Sequence, residues 1–201
     1  MILIIQNGNF QTSLSRYLDE EFEIIKSQAI DINKINLDSY SVIIILGGHQ
    51  SVRQIDKYSE LKNVVEVIKK CIELKKPVFG ICLGCQLIAH VLGCEIKTSS
   101  KLNIGYDTKI LGYEYIFRCH YDYVEPNDKI EILDNFDSML YAFRHQNLFG
   151  IQCHPDIPAD TVTKYETNES IKKFAKENQH LIEHNNKALI EYIINSLKNL
   201  T

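Results

Sequence analysis

The sequence lacks any apolar run long enough to cross a membrane, since no window approaches the roughly 18 apolar residues that a span requires. The apolar start at residues 1–5 is short and has no basic leader, unlike a secretory signal peptide. Lysine and arginine form no dense cluster, and the net charge is −4, which argues against binding along a phosphate backbone. These absences predict a cytoplasmic protein that binds neither membranes nor nucleic acids.

Proline and glycine are also scarce, with four and nine among 201 residues. No segment is polar enough to force disorder, because 45% of the residues are apolar and only 24% are charged. This length suits one domain with its own core. We therefore expect a single domain over residues 1–201, with a helical C-terminal extension from about residue 160.

Cysteine is present six times, but an intracellular chain with a full core is expected to keep it reduced and mostly buried. Cys82 and Cys85 form a Cys-x-x-Cys pair, which leaves open a redox pair or half of a zinc site. A zinc site would need a second such pair, and the sequence has none. We expect no metal and no other cofactor.

The first half of the chain alternates apolar runs with helical patterns. Runs at residues 2–6, 42–46 and 78–81 predict strands covered on both faces. Helical spacing appears over residues 58–74 and 87–92, and more weakly over 12–21. This alternation predicts an α/β fold with a doubly wound, open and mostly parallel sheet.

The pattern changes after Gly93 to short strands with tight turns, which predicts a small antiparallel part. The expected strands are residues 104–106, 109–111, 113–119, 130–133, 139–144 and 149–153.

A strand and a helix meet at Cys82 in the pattern Gly-x-Cys-x-Gly, with Gly80 and Gly84 on either side. Small residues at these positions permit the sharp nucleophile-elbow turn, here with cysteine in place of serine. The positive end of the following helix favours the reactive thiolate. An inert core cysteine is the alternative, but glycines at this spacing favour a nucleophile.

A nucleophilic cysteine needs a base, and His154 is the best placed of the seven histidines. It lies just beyond a predicted strand, at the carboxyl end where open α/β sheets place their sites. Asp156 can reach the far ring nitrogen, set the tautomer and stabilise the imidazolium. Structural or solvated positions are expected for His90, His145, His180 and His184.

Residues 80–86 together with 150–156 resemble the class I glutamine amidotransferases, which use a Cys-His-Glu triad. The resemblance covers about residues 1–160 and implies a flavodoxin-like fold. It implies that Cys82 attacks the side-chain amide of glutamine to form a glutamyl thioester, and that His154 passes a proton to the leaving ammonia. Water activated by His154 would then release glutamate.

Two further segments carry the same resemblance. Residues 46–51 fall where the family has its oxyanion loop, so the backbone N–H groups of Gly48 and Leu83 would hold the developing oxyanion. Residues 119–124 resemble the family's Ser-His-Gly-Asp-x-Val segment, whose backbone helps to bind glutamine. The substrate-binding residues implied in this way are Cys119, His120, Tyr121 and Gln86.

The chain departs from the family pattern at four positions. Asp156 replaces the usual glutamate and is one methylene shorter, which places its reach in question. Tyr121 replaces a glycine and would reshape the pocket for the amino-acid end of glutamine. His49 replaces a proline, and Cys85 stands where histidine, alanine or methionine is common.

The sequence carries no ATP-binding P-loop or pyrophosphatase signature that would use the ammonia. Either a separate synthetase subunit receives it, or the enzyme acts alone. The long stretch after His154 and the Gly105-Tyr106 pair resemble stand-alone GMP synthase-like amidotransferases. Three alternatives stay open: the glutaminase subunit of GMP synthase, a γ-glutamyl hydrolase of the same fold, and a catalytically silent binding module.

Overall fold

The computed structural model describes residues 1–8, 13–106 and 109–200. Within these ranges the strands are β1 (Ile2–Gln6), β2 (Phe22–Lys26), β3 (Val42–Ile45), β4 (Val78–Ile81), β5 (Glu95–Gly105), β6 (Lys109–Ile110), β7 (Tyr113–Glu114), β8 (Arg118–Glu125), β9 (Glu131–Phe136), β10 (Met139–His145) and β11 (Leu148–Ile151). The α-helices are α1 (Ser59–Glu73), α2 (Leu83–Val91), α3 (Ala159–Tyr165), α4 (Glu169–Glu177) and α5 (Gln179–Lys198). Short 3-10 helices cover Leu14–Tyr17, Ser27–Ala29, Leu37–Ser39 and Val52–Lys57.

The central sheet has the strand order β2-β1-β3-β4-β11-β10-β9. Its pairing is parallel from β2 through β11 and antiparallel for β10 and β9. Strands β1, β3, β4 and β11 are buried along their whole length, which is why their sequences are unbroken apolar runs. The predicted α/β fold with a mostly parallel sheet is confirmed.

Helices cover both faces of this sheet. Along β1, Leu3 and Ile5 belong to the core that contains the buried residues of α1 and α2, whereas Ile2 and Ile4 share a core with α5. This alternation follows from the two-residue period of a strand. The C-terminal helix α5 therefore closes one face of the sheet and is part of the main core. None of the helices in the described ranges is both long and apolar enough to cross a membrane.

The small antiparallel part consists of β5 paired with β8 and β6 paired with β7. The predicted strand at residues 104–106 was too short, because β5 begins at Glu95 and most of its residues are polar and not buried, so it shows no apolar alternation. The predicted strand at 113–119 was wrong in its middle, since Tyr115 adopts a φ of 60° that ends β7.

The helix expected over residues 12–21 was also wrong in extent. Thr12 lies outside the described residues, and the remainder forms only the 3-10 helix Leu14–Tyr17. The helix predicted from residue 87 begins earlier, at Leu83, because its first turn contains the elbow residues rather than an apolar stripe.

Gly84 lets α2 approach the sheet closely, and its replacement provides a stability prediction. A Cβ at Gly84 would lie 2.1 Å from the carbonyl oxygen of Ile45 in β3, and one at Gly80 would lie 2.6 Å from the backbone of Gly84. We expect Gly84→Ala to lower the free energy of unfolding by about 3 kcal/mol, because the clash is with main-chain atoms. Urea denaturation would measure the loss.

Gly112→Ala is the matched control for this prediction. Gly112 has a φ of 89° and no atom within 4 Å of an added Cβ, so only backbone strain of about 1 to 2 kcal/mol is expected. A loss for Gly84→Ala no larger than that of the control would contradict the close-approach argument.

Candidate active site

Cys82 lies in a strained turn between β4 and α2. Its φ of 51° and ψ of −106° are values that residues with side chains seldom adopt. The Cys82 N–H donates to the carbonyl oxygen of Ile151 at 2.8 Å, and its own carbonyl accepts from the Gln86 N–H at 3.0 Å. Strand β11 and helix α2 therefore hold the turn from both sides, with the cysteine at the carboxyl end of β4.

His154 and Asp156 lie next to this cysteine. Nδ1 of His154 is 3.1 Å from Oδ1 of Asp156, and each side chain is only 10% exposed. A Cβ added to Gly47 would lie 2.8 Å from Cε1 of His154 and 3.4 Å from Cβ of Cys82, so one loop residue packs against both side chains. The structure thus brings together the three residues that the sequence suggested as a triad.

The charge state of His154 depends on these neighbours. Burial by itself lowers the pKa of His154. The Cys82 thiolate and the Asp156 carboxylate outweigh that effect through their charges and hydrogen bonds, and they raise the pKa well above its ordinary value. The arrangement therefore favours the imidazolium form of His154 beside the sulfur of Cys82.

The two predicted oxyanion donors lie on adjoining segments. Leu83 is the first residue of α2, where backbone N–H groups have no acceptor within the helix. Gly48 follows β3, and a Cβ added to it would lie 2.9 Å from Cδ2 of Leu83 and 2.9 Å from Cβ of Asn7. Loop and helix start are therefore in contact beside Cys82, as an oxyanion hole built from both would require.

Gln86 is buried and fully engaged within the protein. Its Nε2 donates to the carbonyl oxygen of Asp122 at 3.0 Å and to Oε1 of Gln152 at 3.2 Å. Nε2 of Gln152 in turn donates to Sγ of Cys82 at 3.5 Å. The sequence analysis suggested Gln86 as a substrate contact. In the structure its side chain connects Asp122 of β8 to the Gln152 amide, which in turn contacts the sulfur of Cys82.

Gln152 was missed by the sequence reasoning, although a signal was available. It is a polar residue at the end of an apolar strand run and has no exposed surface. A buried amide must find hydrogen-bond partners, and those of Gln152 are Sγ of Cys82 and Nε2 of Gln86.

The three residues suggested on β8 occupy different environments. His120 is buried, with Nδ1 3.0 Å from the carbonyl oxygen of Asp122 and Nε2 2.8 Å from the hydroxyl of Tyr141. Tyr121 points to the other side and is 53% exposed. Cys119 is partly buried, and burial raises the pKa of its thiol. His120 therefore belongs to the polar network around the site, whereas the Tyr121 side chain faces solvent.

Asp122 joins the predicted oxyanion loop to the small antiparallel sheet, a role that the sequence did not indicate. Ser51 Oγ donates to Oδ2 of Asp122, and Thr98 Oγ1 donates to Oδ1 at 2.5 Å. The carbonyl oxygen of the same residue accepts from Gln86. One residue of β8 thus connects the loop after β3, strand β5 and helix α2.

The burial of His120 leads to a pH prediction. Burial lowers its pKa to about 4, whereas an unfolded chain protonates histidine near 6.5. The unfolded state alone therefore binds a proton as the pH falls from about 6.5 towards 4, so stability is lost in that window and is fully present above it. By pH 4.5 this residue should cost about 2 to 3 kcal/mol of unfolding free energy.

Urea denaturation of the wild type and His120→Gln at pH 7 and at about pH 4.5 would measure this effect. The variant should lose less stability between the two pH values, by about the same 2 to 3 kcal/mol. Identical losses in both proteins would show that His120 does not stay neutral in the folded state.

Several other cysteines and histidines have the structural or solvated positions that the sequence indicated. All six cysteines are free, and burial raises the pKa of Cys85 well above its ordinary value. His90 and the α5 histidines are exposed, and Nδ1 of His145 lies 2.7 Å from the carbonyl oxygen of Lys129. Among the residues that the structure describes, no group of three or more His, Cys, Asp or Glu side chains could hold a metal ion.

The chain is similar in sequence to known proteins. Residues 3–174 match the family model described as glutamine amidotransferase class-I. A glutamine amidotransferase-like protein of Acanthamoeba polyphaga mimivirus is 55% identical over 199 residues, which cover 98% of this chain and 97% of that protein. A subunit of the glutamine-hydrolysing GMP synthase of Methanosphaera stadtmanae is 32% identical over 177 residues, or 78% of this chain and 88% of that relative.

A solved structure shows the same fold. The crystal structure of a glutamine amidotransferase from Thermotoga maritima matches with a TM-score of 0.78 and covers 96% of this chain and 97% of that one, at 18% sequence identity.

Proposed function

Because this chain belongs to the class I glutamine amidotransferase family, we propose that it hydrolyses the side-chain amide of glutamine to glutamate and ammonia through a thioester on Cys82. The observation that supports this most strongly is the strained turn at Cys82 with the buried His154–Asp156 pair against it. Backbone strain of this kind costs about 1 to 3 kcal/mol, which an inert core cysteine would not need.

In the first half of the proposed reaction, the Cys82 sulfur attacks the carboxamide carbon of glutamine. A C–S bond forms, and the oxygen gains negative charge that the N–H groups of Gly48 and Leu83 stabilise. His154 donates a proton to the amide nitrogen as the C–N bond breaks, and ammonia leaves. Asp156 keeps Nδ1 of the ring as the donor to its carboxylate, so that Nε2 performs the transfer.

In the second half, His154 removes a proton from water, whose oxygen attacks the thioester carbon. The C–S bond breaks, glutamate leaves, and the Cys82 sulfur departs as the thiolate. The same backbone donors serve both tetrahedral intermediates, because the oxygen occupies the same place in each.

The substrate would lie between the elbow and β8. We propose that the backbone around Cys119, His120 and Tyr121 receives the amino-acid end of glutamine. The side chains of His120 and Gln86 hold that strand in place through the carbonyl oxygen of Asp122. The exposed Tyr121 ring would form the outer wall of the pocket.

The ammonia would pass to a synthetase on a separate chain, or leave the enzyme directly. The similarity to a subunit of GMP synthase, which this chain matches over 88% of that relative's length, supports the first route. A stand-alone activity agrees with the amidotransferase-like relative that matches nearly end to end.

Glutamate release from glutamine by the purified chain tests the proposal. It would be measured for the chain alone and together with the synthetase component of a GMP synthase in the presence of its nucleotide substrates. Release by the chain alone supports a free-standing glutaminase, and release only with the synthetase supports a role within a two-chain enzyme. Activity restricted to larger γ-glutamyl amides, or none in any arm, would overturn the proposed reaction.

A further inference from the structure

We propose that helix α5 positions the acid of the triad, with Asn186 and Glu183 as positioning residues that hold the turn carrying Asp156. This inference rests on the proposed function, in which Asp156 orients His154. It assigns a role to the C-terminal helix beyond closing one face of the sheet.

The turn that carries Asp156 is short and local. The Ile157 N–H donates to the carbonyl oxygen of His154 at 3.4 Å, which closes a four-residue turn with Pro155 and Asp156 at its centre. Proline fixes φ at the first central position. Because aspartate is one methylene shorter than glutamate, its contact with Nδ1 of His154 at 3.1 Å depends on where this backbone is held.

Helix α5 holds the far side of the turn through two side chains. Nδ2 of Asn186 donates to the carbonyl oxygen of Ile157 at 3.2 Å, and Oε1 of Glu183 accepts from the Ala159 N–H at 3.1 Å. Asn186 has no exposed surface. The two side chains are three residues apart and so share one face of the helix.

Tyr17 fixes both of these side chains. Its hydroxyl donates to Oε2 of Glu183 and lies 3.5 Å from Nδ2 of Asn186. Tyr17 is buried, and burial raises its pKa, so the hydroxyl keeps its proton. The helix itself is fixed by Leu189 and Ile193, which are fully buried against the sheet.

These contacts form a continuous path from the core to the triad. The path runs from the buried face of α5 through Asn186 to Ile157 and from there through the turn to Asp156. Removing the Asn186 amide would leave the partly buried carbonyl of Ile157 without this donor. We therefore expect the turn to shift and the bond between Asp156 and His154 to weaken.

A double-mutant cycle with Asn186→Leu and Asp156→Asn tests this path. Alone, Asn186→Leu should lower kcat about tenfold and change KM by less than about twofold, because it disturbs orientation and not binding. In the Asp156→Asn background it should cause a further loss of less than about twofold, since an effect transmitted through Asp156 has already been removed.

Leu197→Ala is the matched control on the same helix. It removes a buried side chain about three turns beyond Asn186, near the C-terminal end of α5, and leaves the Asn186 and Glu183 contacts in place. We expect kcat within about twofold of the wild type at a temperature at which circular dichroism shows every variant folded. Equal losses of kcat in Leu197→Ala and Asn186→Leu, or full additivity with Asp156→Asn, would overturn the positioning role.

A second readout separates this inference from the proposed function. The rate of Cys82 alkylation by iodoacetamide, followed against pH, needs no turnover of glutamine. Its midpoint should move to higher pH in Asn186→Leu and not in Leu197→Ala, because a misplaced Asp156 stabilises the imidazolium less well. If the wild type fails to hydrolyse glutamine, the proposed reaction fails while this profile still decides the role of α5.

Tyr17→Phe provides a milder variant should Asn186→Leu not fold. It removes the hydroxyl that fixes Glu183 and Asn186 and retains the aromatic packing. We expect about a threefold loss of kcat that disappears in the Asp156→Asn background, together with a shift of the alkylation midpoint in the same direction. An unchanged midpoint in this variant would overturn the proposal.

Discussion

Replacement of Cys82 by alanine is expected to lower kcat for glutamine hydrolysis by at least about 10³-fold, because no thioester can form without the sulfur. The backbone at this residue is held by Ile151 and Gln86, so the variant should keep the elbow and the fold. Glutamate release under saturating glutamine would measure the loss, and binding of glutamine should be retained.

Cys85→Ala is the control for this prediction. Cys85 lies three residues further on, in the first turn of α2, and is as deeply buried as Cys82. Burial raises its pKa, so its thiol stays protonated and should contribute only packing. Activity that survives in Cys82→Ala, or a comparable loss in Cys85→Ala, would exclude Cys82 as the nucleophile.

Replacement of His154 by alanine is expected to have the next largest effect, a loss of about 10³-fold in kcat. In the proposed reaction the imidazole transfers a proton in both halves, and in the free enzyme it lies beside the unacylated Cys82 sulfur. Since Cys82 and Asp156 together raise the pKa of His154, its removal should also slow alkylation of Cys82 by iodoacetamide near neutral pH.

His90→Ala serves as the matched control, since His90 lies on α2 but is exposed. It should change neither kcat nor the alkylation rate by more than about twofold. The base assignment would be wrong if His154→Ala lost less than about tenfold in kcat, or if His90→Ala lost as much.

The central sheet and the elbow were predictable because their signals are local. Buried parallel strands are unbroken apolar runs. The turn at Cys82 is indicated by Gly80 and Gly84, which permit helix α2 to approach β3 and β4 closely. Strand β5 was not predictable in this way. It pairs with β8 through its backbone, while most of its own side chains are polar and not buried. The pattern of apolar residues therefore does not indicate this strand.

Some residues of the candidate site were likewise predictable from local sequence, and others were not. Cys82, His154 and Asp156 lie within two short motifs and could be identified from them. Gln152 is 66 residues from its partner Gln86. Only the folded chain therefore shows that the Gln152 amide connects Gln86 to the sulfur of Cys82.

The contacts of α5 join residues that are far apart in the sequence. Asn186 is 29 residues from Ile157 and 169 from Tyr17, and nothing in the local sequence of a polar helix indicates a link to the triad. Such roles arise from tertiary packing, which brings the end of the chain back to a turn that the sequence identifies only by its histidine and aspartate.

The most direct test of the central claim is mass spectrometry of the intact and digested protein after treatment with a glutamine analogue that carries an electrophile in place of the amide. We predict a single adduct on Cys82 that forms more slowly in the presence of glutamine. The account would be contradicted by the absence of an adduct, or by adducts on Cys119 and other cysteines that form at a rate unaffected by glutamine.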